Sequence, residues 1–216
     1  MKYKLIIFDL DGTILDTLDD LSDSVNFSLS SMGLPLRTRE EVRSFVGNGI
    51  RLLIERSVPD GCDVETTVKV FDIFRHHYKD NCCNNTKPYV GIIDLLQNLR
   101  SEDIKLAVVS NKADFAVKEI VARYFDGLFD YAAGEKEGIP RKPAPDSVFD
   151  ALNFFGLEKS DALYIGDSEV DVETAKNAGL EIICVDWGFR EAECLKEHGA
   201  SVIFSDSESL IKYLFR

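Results

Sequence analysis

Asp9 and Asp11 flank a single residue in the run Asp9-Leu10-Asp11-Gly12-Thr13, directly after the apolar stretch Leu5-Ile6-Ile7-Phe8. Alternation along an extended chain sends both carboxylates to the same side. Two carboxylates held close repel each other unless a cation joins them or one is protonated. Asp167 follows Gly166 after a second apolar run, and Asp171 lies one helical turn beyond it. Oxygen donors gathered without His or Cys point to a hard cation, and Mg2+ is the natural choice. Aspartate is also a covalent nucleophile for phosphoryl groups, and a metal lowers the repulsion between an attacking carboxylate and an anionic phosphate. Gly12 lets backbone amides approach phosphate oxygens, and Thr13 adds a hydroxyl. Ser110 can donate to the same oxygens, as can the amide of Asn111 at a helix start. Turn and cap chemistry accounts for Asp16 but poorly for the other four acids.

These residues need a scaffold that gathers them. Apolar-rich segments at Lys4–Phe8, Ile104–Val109, Phe129–Ala133, Ala162–Ile165, Glu181–Val185 and Ser201–Phe204 read as strands, and segments at helical period alternate with them from Ile92 to Leu214. Continuous apolar strands separated by helices predict a doubly wound parallel sheet of α/β class. Ligands bind such sheets at the carboxyl ends of the strands. Asp9 and Asp11, Ser110 and Asn111, and Gly166 and Asp167 all fall at such ends.

Residues 16–83 carry no strand signal and read as a helical bundle. Asp16 can cap a helix through Leu18, Leu21, Val25 and Leu29; Arg39–Phe45 and Ile50–Val58 follow, and Val64, Val68, Phe71, Phe74 and Tyr78 mark a longer helix. Asn84 to Pro88 reads as a linker. The expected organisation is an α/β core of residues 1–15 and 84–216 with an inserted helical cap of residues 16–83, hinged near Asp16 and near Asn84 to Pro88. His76 and His77 in the cap read as structural or exposed, and Trp187 as packing at a strand end. The stretch Ala133 to Pro140 reads as a loop.

The 216 residues are 45% hydrophobic and 29% charged, which suits a packed globular core, and the net charge of −13 opposes nucleic acid and anionic lipid as partners. Five cysteines with no CxxC pair argue against zinc and for free thiols, and the side chains of adjacent Cys82 and Cys83 are expected to diverge. No apolar run before Asp9 is long enough for a signal peptide or membrane span, so a cytoplasmic location is expected, as a monomer or homodimer.

Asp9-Leu10-Asp11-Gly12-Thr13, Ser110-Asn111-Lys112, Arg141-Lys142-Pro143 and Gly166-Asp167-Ser168 with Asp171 resemble, in order, the four motifs of the haloacid dehalogenase superfamily. The resemblance spans nearly the whole chain, and the helical block falls where that superfamily carries its α-helical cap. It implies that Asp9 attacks phosphorus and forms an aspartyl-phosphate, while Asp11 serves as acid and then base. It further implies that Ser110 holds a phosphoryl oxygen and Lys142 neutralises charge on the phosphoryl group and on Asp9. Mg2+ would be held by the Asp9 carboxylate, the Asp11 backbone carbonyl and the Asp167 carboxylate, with Asp171 steadying the metal's water or Lys142. Asp16-Thr17-Leu18 and Phe45 to Ile50 are similar to the phosphoglycolate phosphatase-type branch. Within that likeness Asn48 and Gly49 would face the non-phosphate end of the substrate, and Arg51 its carboxylate.

The expected activity is therefore Mg2+-dependent hydrolysis of a small phosphomonoester, with phosphoglycolate favoured. A sugar phosphate, a nucleotide or pyrophosphate are alternative substrates. A phosphomutase, a dehalogenase and a non-catalytic phosphate-binding regulator are alternative functions.

Overall fold

The computed structural model describes residues 2–216, which divide into two compact units: residues 2–15 with Pro88–Arg216, and Asp16–Lys87. The first is α/β. Strands β1 (Leu5–Phe8), β4 (Lys105–Ala113), β5 (Tyr131–Glu135), β6 (Ala162–Gly166), β7 (Glu181–Val185) and β8 (Ile203–Phe204) form a parallel sheet in the order β5-β4-β1-β6-β7-β8. Helices α5 (Ile92–Ser101), α6 (Asp114–Tyr124), α7 (Asp146–Phe155), α8 (Glu169–Ala178), α9 (Ala192–Glu197) and α10 (Ser207–Leu214) alternate with the strands.

All four residues of β1 are fully buried, because the strand is covered on both faces. On one face Leu5 and Ile7 pack with Ala107, Val109 and Tyr164, and with Val148 and Leu152 of α7 and Ala175 of α8. The register aligns Phe8 with Val108 on one side and Ile165 on the other. Strand order reverses at β1, so Asp9 emerges at the switch point where open sheets receive ligands.

The second unit is helical: α1 (Leu18–Ser31), α2 (Arg39–Phe45), α3 (Gly49–Ser57) and α4 (Val64–Asn81). Thr38 and Glu41 form a reciprocal capping box at the start of α2, and Asp63 caps α4 by accepting from the Thr66 amide at 2.8 Å. Thr17, not Asp16, holds the cap position of α1, and the Asp16 carboxylate accepts the Leu18 amide at 3.4 Å. Leu18, Leu21, Val25 and Leu29 are buried as their spacing predicts. The buried stripe of α4 is Val70 and Phe74, whereas Val64 is 79% exposed in the first turn, so the apolar face expected there begins a turn too early.

Three further features depart from the sequence expectation. Leu15–Asp16 (β2) and Lys87–Pro88 (β3) pair as a two-stranded ribbon where a bare linker was expected; two-residue strands are too short to carry a period. The return from the helical unit falls at Lys87 rather than Asn84. The buried carboxylate of Asp20 accepts from the amides of Asn85 and Thr86 at 2.8 and 2.9 Å, and from the Thr86 hydroxyl at 2.7 Å, so these residues belong to the helices. Cys82 and Cys83 converge instead of diverging, with their sulfurs 3.7 Å apart; none of the five cysteines is in a disulfide. Among the described residues no helix is long and apolar enough to cross a membrane.

Candidate active site

The Asp9 amide donates to Ile165 at 2.9 Å, continuing the β1–β6 ladder one residue past the strand. That bond fixes the Asp9 carboxylate at the edge where β6 delivers Asp167. Carboxylate oxygens of Asp9, Asp167 and Asp171 lie within 4.8 Å of one another. The Lys142 ammonium sits among them, 2.8 Å from Asp9 Oδ1 and 2.8 Å from Asp171 Oδ1, and donates to the Tyr164 hydroxyl at 3.1 Å. Asp167 and Asp171 are wholly buried, Lys142 nearly so.

Asp171 is saturated. Its Oδ2 accepts the amides of Asp167 and Ser168 and the Ser168 hydroxyl, the last at 2.7 Å, and its Oδ1 accepts Lys142 and Tyr164. It therefore anchors Lys142 and the start of α8. Asp167 accepts the Thr13 hydroxyl at 2.8 Å and the Phe189 amide at 2.7 Å, one on each oxygen. Each of those oxygens keeps a lone pair.

Burial pushes the Asp9 carboxyl up to about 7, against the opposing pull of Lys142. Burial, followed by repulsion from Asp171 and Asp9, raises Asp167 well above the carboxylate range. Burial works to lower Lys142, but Asp171 and Asp9 outweigh it and hold the ammonium well above its ordinary value. With all three carboxylates ionised the one ammonium leaves the cluster short of two positive charges, and without them burial favours the protonated acids. An all-oxygen donor set with that deficit fits a hard divalent cation held by Asp9 and Asp167.

Glycines make the room. A Cβ on Gly12, whose φ is +88°, would stand 2.3 Å from Asp167 Oδ2; one on Gly188 would stand 2.2 Å from the Gly12 carbonyl and 2.3 Å from Asp167 Oδ2.

The other residues singled out from sequence are distributed as follows. Asp11 lies outside the acidic cluster, and both its oxygens accept from Lys112 Nζ, at 3.1 and 3.2 Å. The Thr13 hydroxyl hydrogen is committed to Asp167, and the Gly12 amide to the Leu15 carbonyl at 2.8 Å. Ser110 is buried, and its hydroxyl accepts the Lys112 amide at 3.2 Å, which leaves its own hydrogen to donate. Asn111 lies within β4 rather than at a helix start; α6 begins at Asp114. Its side chain donates to the Lys142 carbonyl at 3.0 Å. Asn48, Gly49 and Arg51 lie in the helical unit, where Asn48 accepts from Arg56 at 2.9 Å and the largely exposed Arg51 pairs with Glu55 at 3.1 Å.

Sequence reasoning missed Lys112, Tyr164 and Gly188. Tyr164 carried a signal, as the one hydroxyl in the otherwise apolar strand Ala162–Gly166. Lys112 sits inside the second motif yet looks like any other lysine. Trp187, read as a packing residue, donates to the Thr13 carbonyl at 3.0 Å and so braces the turn after Asp9. Gly134 and Glu135, read as loop, complete β5.

A parallel sheet whose switch point presents buried aspartates and one lysine defines a class of hydrolase. Residues 6–185 match the model of the haloacid dehalogenase-like hydrolases, and the chain belongs to that family. It is 33% identical over 214 residues to a phosphoglycolate phosphatase from Mesorhizobium japonicum, covering 97% of this chain and 94% of that protein. It is 35% identical to a phosphoglycolate phosphatase from Aquifex aeolicus over 187 residues, 86% of each chain. A crystal structure from Lactobacillus delbrueckii subsp. bulgaricus, provisionally assigned as a phosphoglycolate phosphatase, superposes with a TM-score of 0.93 at 38% identity and 99% coverage of both chains.

Proposed function

We propose that this protein is a Mg2+-dependent phosphatase that hydrolyses a small phosphomonoester through an aspartyl-phosphate on Asp9, with phosphoglycolate as the favoured substrate. The observation that carries the reading is the contact of the Asp9 carboxylate with Lys142 beside Asp167. A nucleophilic carboxylate meets a dianionic phosphoryl group only where positive charge is concentrated. Asp9 and Asp167 would hold the cation, which would supply Lewis-acid neutralisation of that charge.

The chain's own groups account for the rest. Lys142 orients Asp9 by holding Oδ1, and the Ser110 hydroxyl donates to a phosphoryl oxygen, as can the Asn111 backbone amide. An Asp9 oxygen forms a bond to phosphorus as the ester P–O bond breaks in line, and Asp11 gives its proton to the departing alkoxide. Asp11, now a carboxylate, takes a proton from the water that attacks phosphorus. Phosphate leaves and Asp9 is regenerated. Thr13 and Gly12 serve the site by holding and admitting Asp167. Phosphoglycolate is favoured because the relatives at 33% and 35% identity bear that activity in their names. Substrate choice is assigned to the helical unit through Asn48, Gly49 and Arg51. The Arg51–Glu55 pair is exposed and worth only ~0.3–0.5 kcal/mol, so a substrate carboxylate can displace it.

The test is phosphate release from a panel holding phosphoglycolate, sugar phosphates, nucleoside monophosphates and pyrophosphate, with Mg2+ or a chelator. Release should require the metal and vanish in a folded Asp9→Asn variant. Full activity in Asp9→Asn would refute the covalent route. A sugar phosphate or nucleotide turned over far better than phosphoglycolate would refute the substrate.

A further inference from the structure

Asp9 and Asp11 are two residues apart, yet each has its own lysine. Lys142 serves Asp9 and Asp171, and Lys112 grips both oxygens of Asp11 at 3.1 and 3.2 Å. Lys112 has a side chain only 7% exposed, and that of Asp11 is 18% exposed. At such burial an ion pair is a geometric constraint as much as a source of stability, because releasing either partner leaves a poorly hydrated charge.

The backbone beneath Lys112 is built to aim it. The β4–β5 register slips between Val109 and Ala113, so that Ser110, Asn111 and Lys112 bulge out of the ladder before pairing resumes at Ala113 and Glu135. The Lys112 amide is tied back to the Ser110 hydroxyl. From behind, the Lys112 carbonyl presses on Gly134 of β5: a Cβ there would lie 2.3 Å from that oxygen and 2.6 Å from Asp114 Cα. Both neighbours are backbone and cannot swing aside. Gly134, Lys112 and Asp11 form one train of contacts, ending at the group that must meet the leaving oxygen.

We infer that Lys112 is a positioning residue for proton delivery: it fixes the Asp11 carboxyl against the leaving group, and Gly134 fixes Lys112. The inference rests on the phosphatase reading above. It makes a distinction that a merely structural ion pair does not. Proton donation matters when the departing oxygen is a basic alkoxide and hardly matters when it is a stabilised phenolate. In both cases the bond formed is Asp9 oxygen to phosphorus and the bond broken is phosphorus to ester oxygen. Only the alkoxide needs the Asp11 proton as it departs.

The experiment compares kcat/KM for an alkyl ester, phosphoglycolate, and an aryl ester, p-nitrophenyl phosphate, because kcat/KM reports the steps up to loss of the first leaving group. Lys112→Met should lower the alkyl value roughly 100-fold and the aryl value by less than about threefold. Lys112→Arg should recover part of the alkyl loss, and Gly134→Ala should lower alkyl turnover selectively without removing any polar side chain of the site. Equal losses on both esters in Lys112→Met and Gly134→Ala would overturn the inference and leave a structural ion pair. If the wild type turns over neither ester, the phosphatase reading itself falls and this one with it. Wild-type turnover that Asp9→Asn abolishes keeps the two failures apart.

Discussion

The Lys142 ammonium and the Asp171 carboxylate face each other at 2.8 Å in a buried pair, and Asp171 spends its other oxygen on Asp167 and Ser168, the two residues that lead into α8. The lysine of the third motif is therefore aimed by an acid of the fourth. Removing one partner of a buried pair strands the other and costs ~3–5 kcal/mol. Lys142→Met and Asp171→Asn should each destabilise the fold on that scale in urea titrations. The double variant should lose less than the sum of the two. Additive losses would mean that the charges are not coupled.

Acid and metal should act on the same group. Asp9 is raised from 3.8 to about 7, so between those values the native metal-free protein keeps a proton that the unfolded chain gives up. The contribution of Asp9 to stability is complete below the lower value and is lost as pH rises through the higher one. A cation at Asp9 needs the ionised form and competes with that proton. The rise in Tm on adding Mg2+ should therefore be small near about pH 5.5 and large near about pH 8, and Asp9→Asn should flatten the trend. A constant rise across that range would contradict this account.

Gly188 tests the steric frame. Gly188→Ala drives a methyl into the Gly12 carbonyl and Asp167 Oδ2. It should weaken Mg2+ affinity at least ~10-fold by calorimetry while leaving the helical unit's circular dichroism intact. Unchanged affinity would show that the carboxylate can move aside.

Asp20 is the anchor of the helical unit's return segment. Asp20→Ala leaves the buried Thr86 amide and the part-buried Asn85 amide without their partner and should cost ~1–3 kcal/mol. Amide exchange at Asn85 and Thr86 should accelerate first. Unchanged exchange would assign the segment's order to the β2–β3 ribbon instead.

Much of the architecture was legible because its signals are periodic. The ranges Arg39–Phe45 and Glu181–Val185 were read with the same bounds that the structure has. What escaped was either too short, as with β2 and β3, or fixed by distant partners. Val64 looked like part of the α4 stripe, but only packing decides that Val70 and Phe74 face inward. Asn111 looked like the start of a helix, but pairing with β5 draws the strand on to Ala113. The chemical types at the site, aspartates at strand ends and a lone motif lysine, are visible as letters. Which oxygen meets which donor is not: that Asp11 turns to Lys112, and Thr13 to Asp167, follows from a bulge and two glycines whose roles appear only in three dimensions.

The central position of β1 sets an order of events during synthesis. Leu5 pairs with Lys105, so the middle strand of the sheet has no partner until about a hundred further residues have been made, roughly 5–20 s of elongation. The whole of Asp16–Lys87 is translated within that interval. Throughout it, an apolar tetrapeptide of high β propensity waits unpaired beside the ribosome. A helical insertion that collapses early would keep the two ends of the waiting segment close, through the β2–β3 ribbon, and shorten the search when β4 arrives.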